Sequence, residues 1–335
     1  MTTDVVDVAD IPSAVLTARW DTVAEALLPR SAAKAAAAWH VRAVLARLGD
    51  DVVGMTMLHR SRGGTVAEIV DPTLVAPDLF PDSADFLYVG GVIDLVAGTA
   101  TAVDLDPAER DAVRTALVAR ARQVAEESGL TPVSLYVRDA EIAAFTAGRR
   151  PAARVAGVSV IAVPGTDEEF LAGLSSNQRR TVLKDRAHTA ALGLRVTTTP
   201  AAELMADRGA AAAAVELIMD VKRRHGVTEH PRLAKMRLGE WAGRPDGERV
   251  AFAVEADGEP LAVTFACALG GRLEIYETGM ADVGQHKHEA YIESLVQAPL
   301  RYALAAGLTE IDLGLDAETP KTRRGAAVAP VWAVA

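Results

Sequence analysis

The sequence predicts a mixed α/β protein built from two similar halves. Three observations lead to this prediction. The element order hairpin, strand, helix, strand occurs twice, short matching segments recur in the two halves, and the length suits two domains. The chain has 335 residues, of which 50% are hydrophobic, so two cores can be buried and general disorder is excluded.

The first half begins its regular pattern with two strands around a turn at Gly49. A helix follows further along, beginning at Pro107 and ending at Ser128-Gly129, which are typical start and stop signals. The predicted elements of this half are strands at 41–48, 52–59 and 86–93, a helix at 107–128, and a strand at 132–137.

The second half repeats this order. Its hairpin is indicated by Asp257-Gly258, a dipeptide typical of tight turns between strands. Pro299 lies inside the predicted helix, so we expect that helix to be kinked or divided. The predicted elements are strands at 249–256, 260–268 and 272–278, a helix at 287–306, and a strand at 310–315. Two further helices, at 176–192 and 209–225, are predicted between the halves.

Short segments of the two halves correspond in letters as well as in order. Leu130–Leu135 corresponds to Leu308–Leu313, and each segment follows a glycine that ends a helix. Tyr88–Gly91 corresponds to Tyr276–Gly279. Together with the shared element order, these matches predict a duplicated unit.

Charge and cysteine content exclude several classes of protein. The net charge of −10 opposes non-specific nucleic-acid binding unless basic residues are concentrated locally, and residues 175–250 hold 14 Lys or Arg against nine Asp or Glu. A single cysteine, Cys267, excludes an internal disulfide framework and a multi-cysteine zinc site. The sequence has no apolar run long enough to span a membrane and no signal-peptide pattern at its start. We therefore expect a cytoplasmic protein without a membrane partner.

The second half resembles a known group of enzymes. The residues that carry the resemblance are, in order, Leu174–Arg180 opening a basic helix, Lys222–Gly226 ending the next, Asp257–Ala262 in the hairpin, the helix from Tyr291 to Gly307, and Ile311–Gly314 before Lys321. In this order they resemble the double-domain GNAT-like acyltransferases, including the Fem-type aminoacyl-tRNA-dependent transferases. The resemblance implies tandem duplicated GNAT-like (acyl-CoA N-acyltransferase) domains. It implies a non-catalytic domain at 1–160 and a catalytic domain at 161–335.

The activity implied by this resemblance is amide-bond formation by transfer of an aminoacyl or acyl group to an amine. Acetyl-CoA enzymes of this fold carry a Gln/Arg-x-x-Gly-x-Gly/Ala loop, and Val283–Tyr291 lacks it. We therefore expect aminoacyl-tRNA as donor, with a small-molecule or peptide amine as acceptor and no tightly bound cofactor. Acyl-CoA as the donor, or a non-catalytic binding function, remains an alternative.

Four residues are candidates for the chemistry. Asp312 and Asp316 share the face of their strand opposite Ile311 and Leu313, so they face either the acceptor cleft, as base or ammonium ligand, or solvent. Tyr276 is interpreted either as the acid that protonates the leaving group or as a packed aromatic. Glu277 is on a mainly apolar face of its strand. It is interpreted either as a residue at a sheet edge or as a buried acid with a raised pKa.

The donor and the acceptor both need binding groups. A polyanionic donor favours basic residues at helix starts, where free N–H groups also bind anions. The candidates for donor binding are Arg179, Arg180, Lys184, His286, Lys287 and His288. His286 and His288 are not interpreted as a metal site, because the spacing supplies no third ligand. Tyr291, Lys321 and Arg324 are candidates for substrate binding, although Tyr291 also belongs to a core stripe of its helix.

Overall fold

The chain divides into two compact units in a computed structural model. Unit 1 contains Met1–Gly157 and Ala329–Ala335, and unit 2 contains Val158–Val328. The last seven residues therefore belong to unit 1, whereas the sequence analysis assigned them to the C-terminal domain. The described residues are 1–12, 15, 20–22, 38–63, 66–92, 95–148, 150–227, 229–245, 247–282, 286–315 and 317–335.

The described residues of unit 1 form a mixed sheet with the long helix Pro107–Glu127 on one face. Its strands lie in the order β1-β2-β3-β4-β6-β13, and β5 pairs with β3. The strands are β1 (Thr2–Asp7), β2 (Trp39–Leu48), β3 (Asp51–Ser61), β4 (Phe86–Val89), β5 (Ala100–Thr101), β6 (Thr131–Arg138) and the end of β13 (Ala327–Val334). The helices are α1 (Pro72–Val75), α2 (Pro107–Glu127) and α3 (Ile142–Phe145).

The described residues of unit 2 contain six strands that pair side by side. Their order is β8-β9-β10-β11-β12-β7. The strands are the end of β7 (Ala152–Ala162), β8 (Arg195–Pro200), β9 (Glu248–Ala256), β10 (Glu259–Leu269), β11 (Arg272–Met280) and β12 (Glu310–Leu315). The helices are α4 (Asp167–Gly173), α5 (Ser176–Ala191), α6 (Ala201–Ala206), α7 (Arg208–Arg224), α8 (Pro231–Ala242), α9 (Lys287–Ile292), α10 (Ala298–Ala305) and α11 (Glu318–Thr322).

The two sheets repeat the same pairing pattern, which confirms the predicted duplication. In unit 1 the strands β2, β3 and β4 pair antiparallel, β4 pairs parallel with β6, and β6 pairs antiparallel with β13. In unit 2, β9, β10 and β11 pair antiparallel, β11 pairs parallel with β12, and β12 pairs antiparallel with β7. The fold class is thus a mixed α/β fold with a repeated unit.

Local sequence signals explain the main elements. Asp257 and Gly258 both have positive φ, 51° and 85°, as the tight β9–β10 turn requires. Helix α2 begins with a capping box, in which Asp106 accepts from the Glu109 N–H, and it ends before Gly129, whose φ is 66°. Predicted strand 86–93 ends earlier, at Val89, because Gly90 turns into the left-handed region at φ 94°.

The predicted division of the helix around Pro299 is confirmed. Residues Glu293–Gln297 form a π-helical turn between α9 and α10, and Pro299 lies in the first turn of α10, where its missing N–H is tolerated. All five residues of the π-helical turn are buried. The helix therefore presents polar side chains, including Glu293 at 2% exposure, to the inside of unit 2.

Candidate functional site

A gap between two parallel strands distinguishes unit 2 from unit 1. Strands β11 and β12 pair only from Arg272–Glu274 to Glu310–Asp312, so in the described residues the edge of β11 after Glu274 is not used by β12. On its other edge β11 carries a bulge. Phe265 pairs with Glu277 and Ala266 pairs with Ile275, which leaves Tyr276 as the extra residue. The bulge therefore re-aims Tyr276, which lies on the part of β11 that β12 does not pair with.

The corresponding gap of unit 1 is filled by its own chain. Ala97 forms a parallel bridge with Val137 of β6 and donates its N–H to the Tyr136 carbonyl at 3.3 Å. The Gly98 N–H donates to the Gly90 carbonyl at 2.9 Å, and a Cβ on Gly90 would lie only 2.8 Å from the Gly98 nitrogen. Residues 97–98 therefore lie between the ends of β4 and β6, whereas no described segment of unit 2 pairs with β11 or β12 at the corresponding place.

Glu141 anchors this filling segment. Its Oε2 accepts from both the backbone N–H and the hydroxyl of Thr99, each at 2.9 Å. Burial raises the pKa of Glu141 to about 7, although the charge of Arg114 and the hydrogen bonds from Thr99 oppose the shift.

Beside the gap of unit 2 lies a closed ring of charges made of Lys222, Glu229, Arg237 and Glu277, here called the ion ring. Arg237 donates from Nε and Nη2 to the two oxygens of Glu229, at 3.1 Å each, and from Nη1 to Glu277 Oε2 at 2.6 Å. Lys222 Nζ pairs with Glu229 and, at 2.9 Å, with Glu277 Oε1. The four side chains are 14–23% exposed, so this is a partly desolvated network.

The ion ring favours the charged forms of Glu229 and Arg237 despite their burial. Burial opposes ionisation of Glu229, but hydrogen bonds from Arg237 and Lys222 bring its pKa below the ordinary value. Burial also disfavours the charge on Arg237, yet the carboxylates of Glu277 and Glu229 raise its pKa further above its ordinary range. Glu277 is therefore a paired carboxylate rather than an isolated acid at a strand edge.

Tyr276 is fixed by two residues of α8. Its ring stacks on Trp241 with 4.4 Å between centroids and 6° between planes, and its hydroxyl accepts from Arg237 Nη1 at 3.0 Å. Arg237 and Trp241 are four residues apart and share one helix face. The bulge explains why Tyr276 and Glu277 contact the same guanidinium, whereas simple alternation predicted opposite faces.

The predicted strand face of Asp312 is confirmed. Ile311 and Leu313 belong to the core cluster of unit 2, and alternation places Asp312 on the other face. Asp312 is nevertheless only 4% exposed, and its Oδ1 accepts from the Gly314 N–H at 2.8 Å. Asp316, the second predicted carboxylate, lies outside the described residues.

The substrate-binding candidates are used within the fold. Lys321 is 4% exposed and its Nζ donates to the carbonyls of Leu313, Gly314 and Leu315, so its donors stabilise a bend and do not point to solvent. Arg324 donates to Asp185 at 2.7 Å and to the Pro320 carbonyl at 2.8 Å. Both residues thus make hydrogen bonds within unit 2, and their roles in substrate binding stay predictions.

Tyr291 is partly buried against the core cluster of unit 2. Burial raises the pKa of its hydroxyl, although the charge of Arg224 opposes the shift. This placement agrees with the core stripe noted in its helix.

The donor-binding candidates separate into two groups. Arg179 donates to the carbonyls of Leu171, Ala172 and Leu174, which caps the end of α4. Arg179, Arg180 and Lys184 are all exposed on α5, but Arg180 and Lys184 make none of these contacts to α4. Arg180 contacts only its neighbour Asn177 among the described hydrogen bonds of its side chain, at 2.8 Å.

The second donor group lies at the start of α9. His286 has φ 66° and precedes the helix, Lys287 donates to the Asp282 carbonyl, and His288 is exposed. Residues 283–285 of the preceding loop are outside the described residues. Helix α5 approaches α9 through His188 Nδ1 and Glu289 Oε1, which are 3.6 Å apart. The structure therefore brings the exposed basic side of α5 next to the start of α9.

Two absences concern the described residues only. No group of three or more His, Cys, Asp or Glu side chains has the arrangement of a metal site. No helix in the described part of the chain combines the length and apolar character needed to cross a membrane.

The comparison with protein families decides the class of unit 2. Residues 176–322, which contain α5 to α11 with the gap and the ion ring, match the family model of the acetyltransferase (GNAT) domain. This segment is similar to GNAT domains. The protein is accordingly an enzyme of the acyltransferase class. No curated protein matches the chain in sequence.

Solved structures share the fold across most of the chain. The structure of FemX superposes with a TM-score of 0.60 at 11% identity, covering 100% of this chain and 97% of that one. The C-terminal domain of a putative lysylphosphatidylglycerol synthetase from Agrobacterium fabrum gives 0.55 at 9% identity, covering 84% and 80%. L-PGS from Bacillus licheniformis gives 0.54 at 9% identity, covering 85% and 81%. At these sequence identities, the similarity shows a shared fold.

Several residues of the site escaped the sequence analysis. Glu229, Arg237 and Trp241 were not singled out, because helix α8 was not predicted. Signals for it were present: His230-Pro231 is a helix start, with His230 accepting from the Arg232 N–H, and Arg237 and Trp241 have the spacing of one helix face.

Proposed function

We propose that the GNAT domain of unit 2 transfers an aminoacyl group from aminoacyl-tRNA to the amine of a small-molecule or peptide acceptor. The observation that carries this proposal is the open edge of β11 next to Tyr276, at a position that unit 1 fills with residues 97–98. Among the described residues, unit 1 fills its gap and unit 2 does not, so we assign the chemistry to unit 2 and a non-catalytic role to unit 1.

The proposed chemistry needs three functions at the gap. The acceptor nitrogen attacks the donor carbonyl carbon, and N–H groups on the open edge of β11 stabilise the oxyanion. Asp312, on the same sheet face as the ion ring, accepts the proton that the nitrogen loses. Tyr276 gives its proton to the oxygen or sulfur that leaves, so the products are an amide and the protonated leaving group.

Two observations support a tRNA donor. The basic side of α5, with exposed Arg180 and Lys184, adjoins the start of α9 and suits a polyanion. The fold is shared with a protein whose name describes the joining of a lysyl group to phosphatidylglycerol. Acyl-CoA is the second candidate donor, favoured by the match to an acetyltransferase domain.

A parallel donor assay tests the proposal. The purified chain is incubated with a charged tRNA pool or with acetyl-CoA, each with a mixed pool of amines and short peptides, and products are identified by mass spectrometry. We expect amide products in the tRNA arm that disappear when the tRNA is first digested with ribonuclease. Products in the CoA arm alone would assign the second donor. No product in either arm would contradict a transferase function under this proposal.

A further inference from the structure

The two cations of the ion ring differ in one contact. Lys222 and Arg237 both pair with Glu229 and Glu277. In the part of the chain that the structure describes, Arg237 is the ring cation that also contacts Tyr276, through the Nη1 group that donates to Glu277. The ring thus contains one cation that touches the tyrosine and one that provides a matched comparison.

The contact has a defined direction. A guanidinium has donors and no acceptor, so the Tyr276 oxygen accepts from Arg237 at 3.0 Å. Such a hydrogen bond is stronger to a phenolate than to a neutral phenol, because the donor carries a positive charge. Arg237 therefore favours the state in which Tyr276 has given up its proton.

We propose that Arg237 is a positioning residue, which holds the Tyr276 hydroxyl at the gap and stabilises the phenolate formed when Tyr276 protonates the leaving group. This inference rests on the acid role of Tyr276 in the proposed function. In the step concerned, the bond between the acyl carbon and the leaving oxygen or sulfur breaks, and the Tyr276 proton passes to that atom. The phenolate then recovers a proton from solvent.

The surroundings of Arg237 are built to keep it still. Glu229 binds its Nε and Nη2 in a side-on pair, and Glu277 binds Nη1 at 2.6 Å. Trp241, one turn further along α8 and 1% exposed, stacks on the Tyr276 ring. A lysine at position 237 could not make these planar contacts to two carboxylates and a phenol at once.

The test compares Arg237→Met with Lys222→Met. Each variant removes one of the two cations from the same two carboxylates, so both lose ring charge and ring hydrogen bonds. We expect the kcat of Arg237→Met to fall by at least ~10-fold more than that of Lys222→Met, toward the range of a lost general acid. The KM for donor and acceptor should change less than kcat. Arg237→Lys should recover only part of the loss.

Two further readouts separate positioning from a structural role. In the background of Tyr276→Phe, adding Arg237→Met should lower kcat little further, because the two residues act as a unit. The chain has five tyrosines, so the absorbance titration of wild type minus Tyr276→Phe isolates Tyr276. That titration should move to higher pH in Arg237→Met, and less in Lys222→Met.

The outcomes distinguish this inference from the proposed function. Equal kcat and equal Tyr276 titration in the two Met variants would overturn the positioning role, even if the wild type is active. A wild type inactive with both donors would contradict the proposed function. The absorbance titration, which needs no substrate, would still decide whether Arg237 controls Tyr276.

Discussion

Asp312 and Lys321 hold the same bend of the chain from two sides. Asp312 Oδ1 accepts the Gly314 N–H at 2.8 Å, while Lys321 Nζ donates to the Gly314 carbonyl at 3.2 Å and to both neighbouring carbonyls. Gly314 has a φ of 75°, so the bend leaves the ordinary strand conformation there. Side chains therefore fix the end of β12 beside the gap. Substitutions there must be chosen so that an effect on the backbone conformation can be distinguished from an effect on the reaction.

Asp312→Asn is expected to lower turnover by ~10²-fold, the usual scale for a lost general base. The amide oxygen can still accept from Gly314, so the melting temperature should stay close to that of the wild type. Lys321→Met is the structural comparison, since it leaves buried carbonyls without their donor and should cost about 1–3 kcal/mol of unfolding free energy. Steady-state kinetics beside denaturant unfolding give both quantities. A fully active Asn variant would remove Asp312 from the mechanism.

The sequence was sufficient for features that depend on local signals. The Asp257-Gly258 turn, the ends of α2, the division at Pro299 and the repeated element order all follow from residues close together in the chain. The face of Asp312 followed from strand alternation, because Ile311 and Leu313 carry the apolar pattern. These features needed no knowledge of distant contacts.

The ion ring could not be predicted because it depends on a bulge and on tertiary contacts. Alternation placed Tyr276 and Glu277 on opposite faces, but the extra residue at Tyr276 turns both toward Arg237. Arg179 caps the neighbouring helix α4, a contact that the sequence did not indicate, and its role in donor binding stays a prediction. Packing between elements decides which hydrogen-bond acceptor a long basic side chain contacts. The amino-acid composition therefore does not predict that contact.

Gly279→Ala should destabilise unit 2 strongly. A Cβ at this position of β11 would lie 2.6 Å from the Ile218 nitrogen and 2.7 Å from the Leu217 carbonyl carbon, so α7 must move away from the strand. Overpacking of this kind costs about 1–3 kcal/mol or more. Gly239→Ala in α8 is the control, because nothing lies within 4 Å of its added Cβ and alanine favours a helix by about 1 kcal/mol. Equal melting temperatures for the two variants would contradict the close approach.

Buried His59 should make unit 1 sensitive to acid. His59 is 0% exposed, and in the described residues neither ring nitrogen has a hydrogen-bond partner. Burial lowers its pKa to about 4, from 6.5 in an unfolded chain, so between these values the unfolded state binds more protons. The contribution to stability is intact above pH 6.5 and is lost as the pH falls toward 4, on the order of 3 kcal/mol in full.

His59→Leu should flatten the decrease of unfolding free energy between pH 6.5 and 4, measured by urea unfolding at several pH values. Met57→Leu, on the same strand and equally buried, is the control, because it alters packing without removing a titratable group. The same pH slope in His59→Leu and in the wild type would show that His59 is not protonated selectively in the unfolded chain.

The exposed basic side of α5 should control donor binding. Arg180 and Lys184 are one helical turn apart, and the next position on that face, His188, adjoins Glu289 of α9. Reversing both charges, Arg180→Glu with Lys184→Glu, should raise the donor KM by about 10-fold or more at low salt and leave kcat nearly unchanged. The slope of log KM against log salt concentration should become shallower by about 2, one for each lost phosphate contact.

The control reverses Arg232 and Lys235, two exposed basic residues of α8, to glutamate. This control carries the same change of net charge, so a general effect of protein charge would appear in both double variants. An equal rise of donor KM in the two would assign the salt dependence to net charge and not to α5.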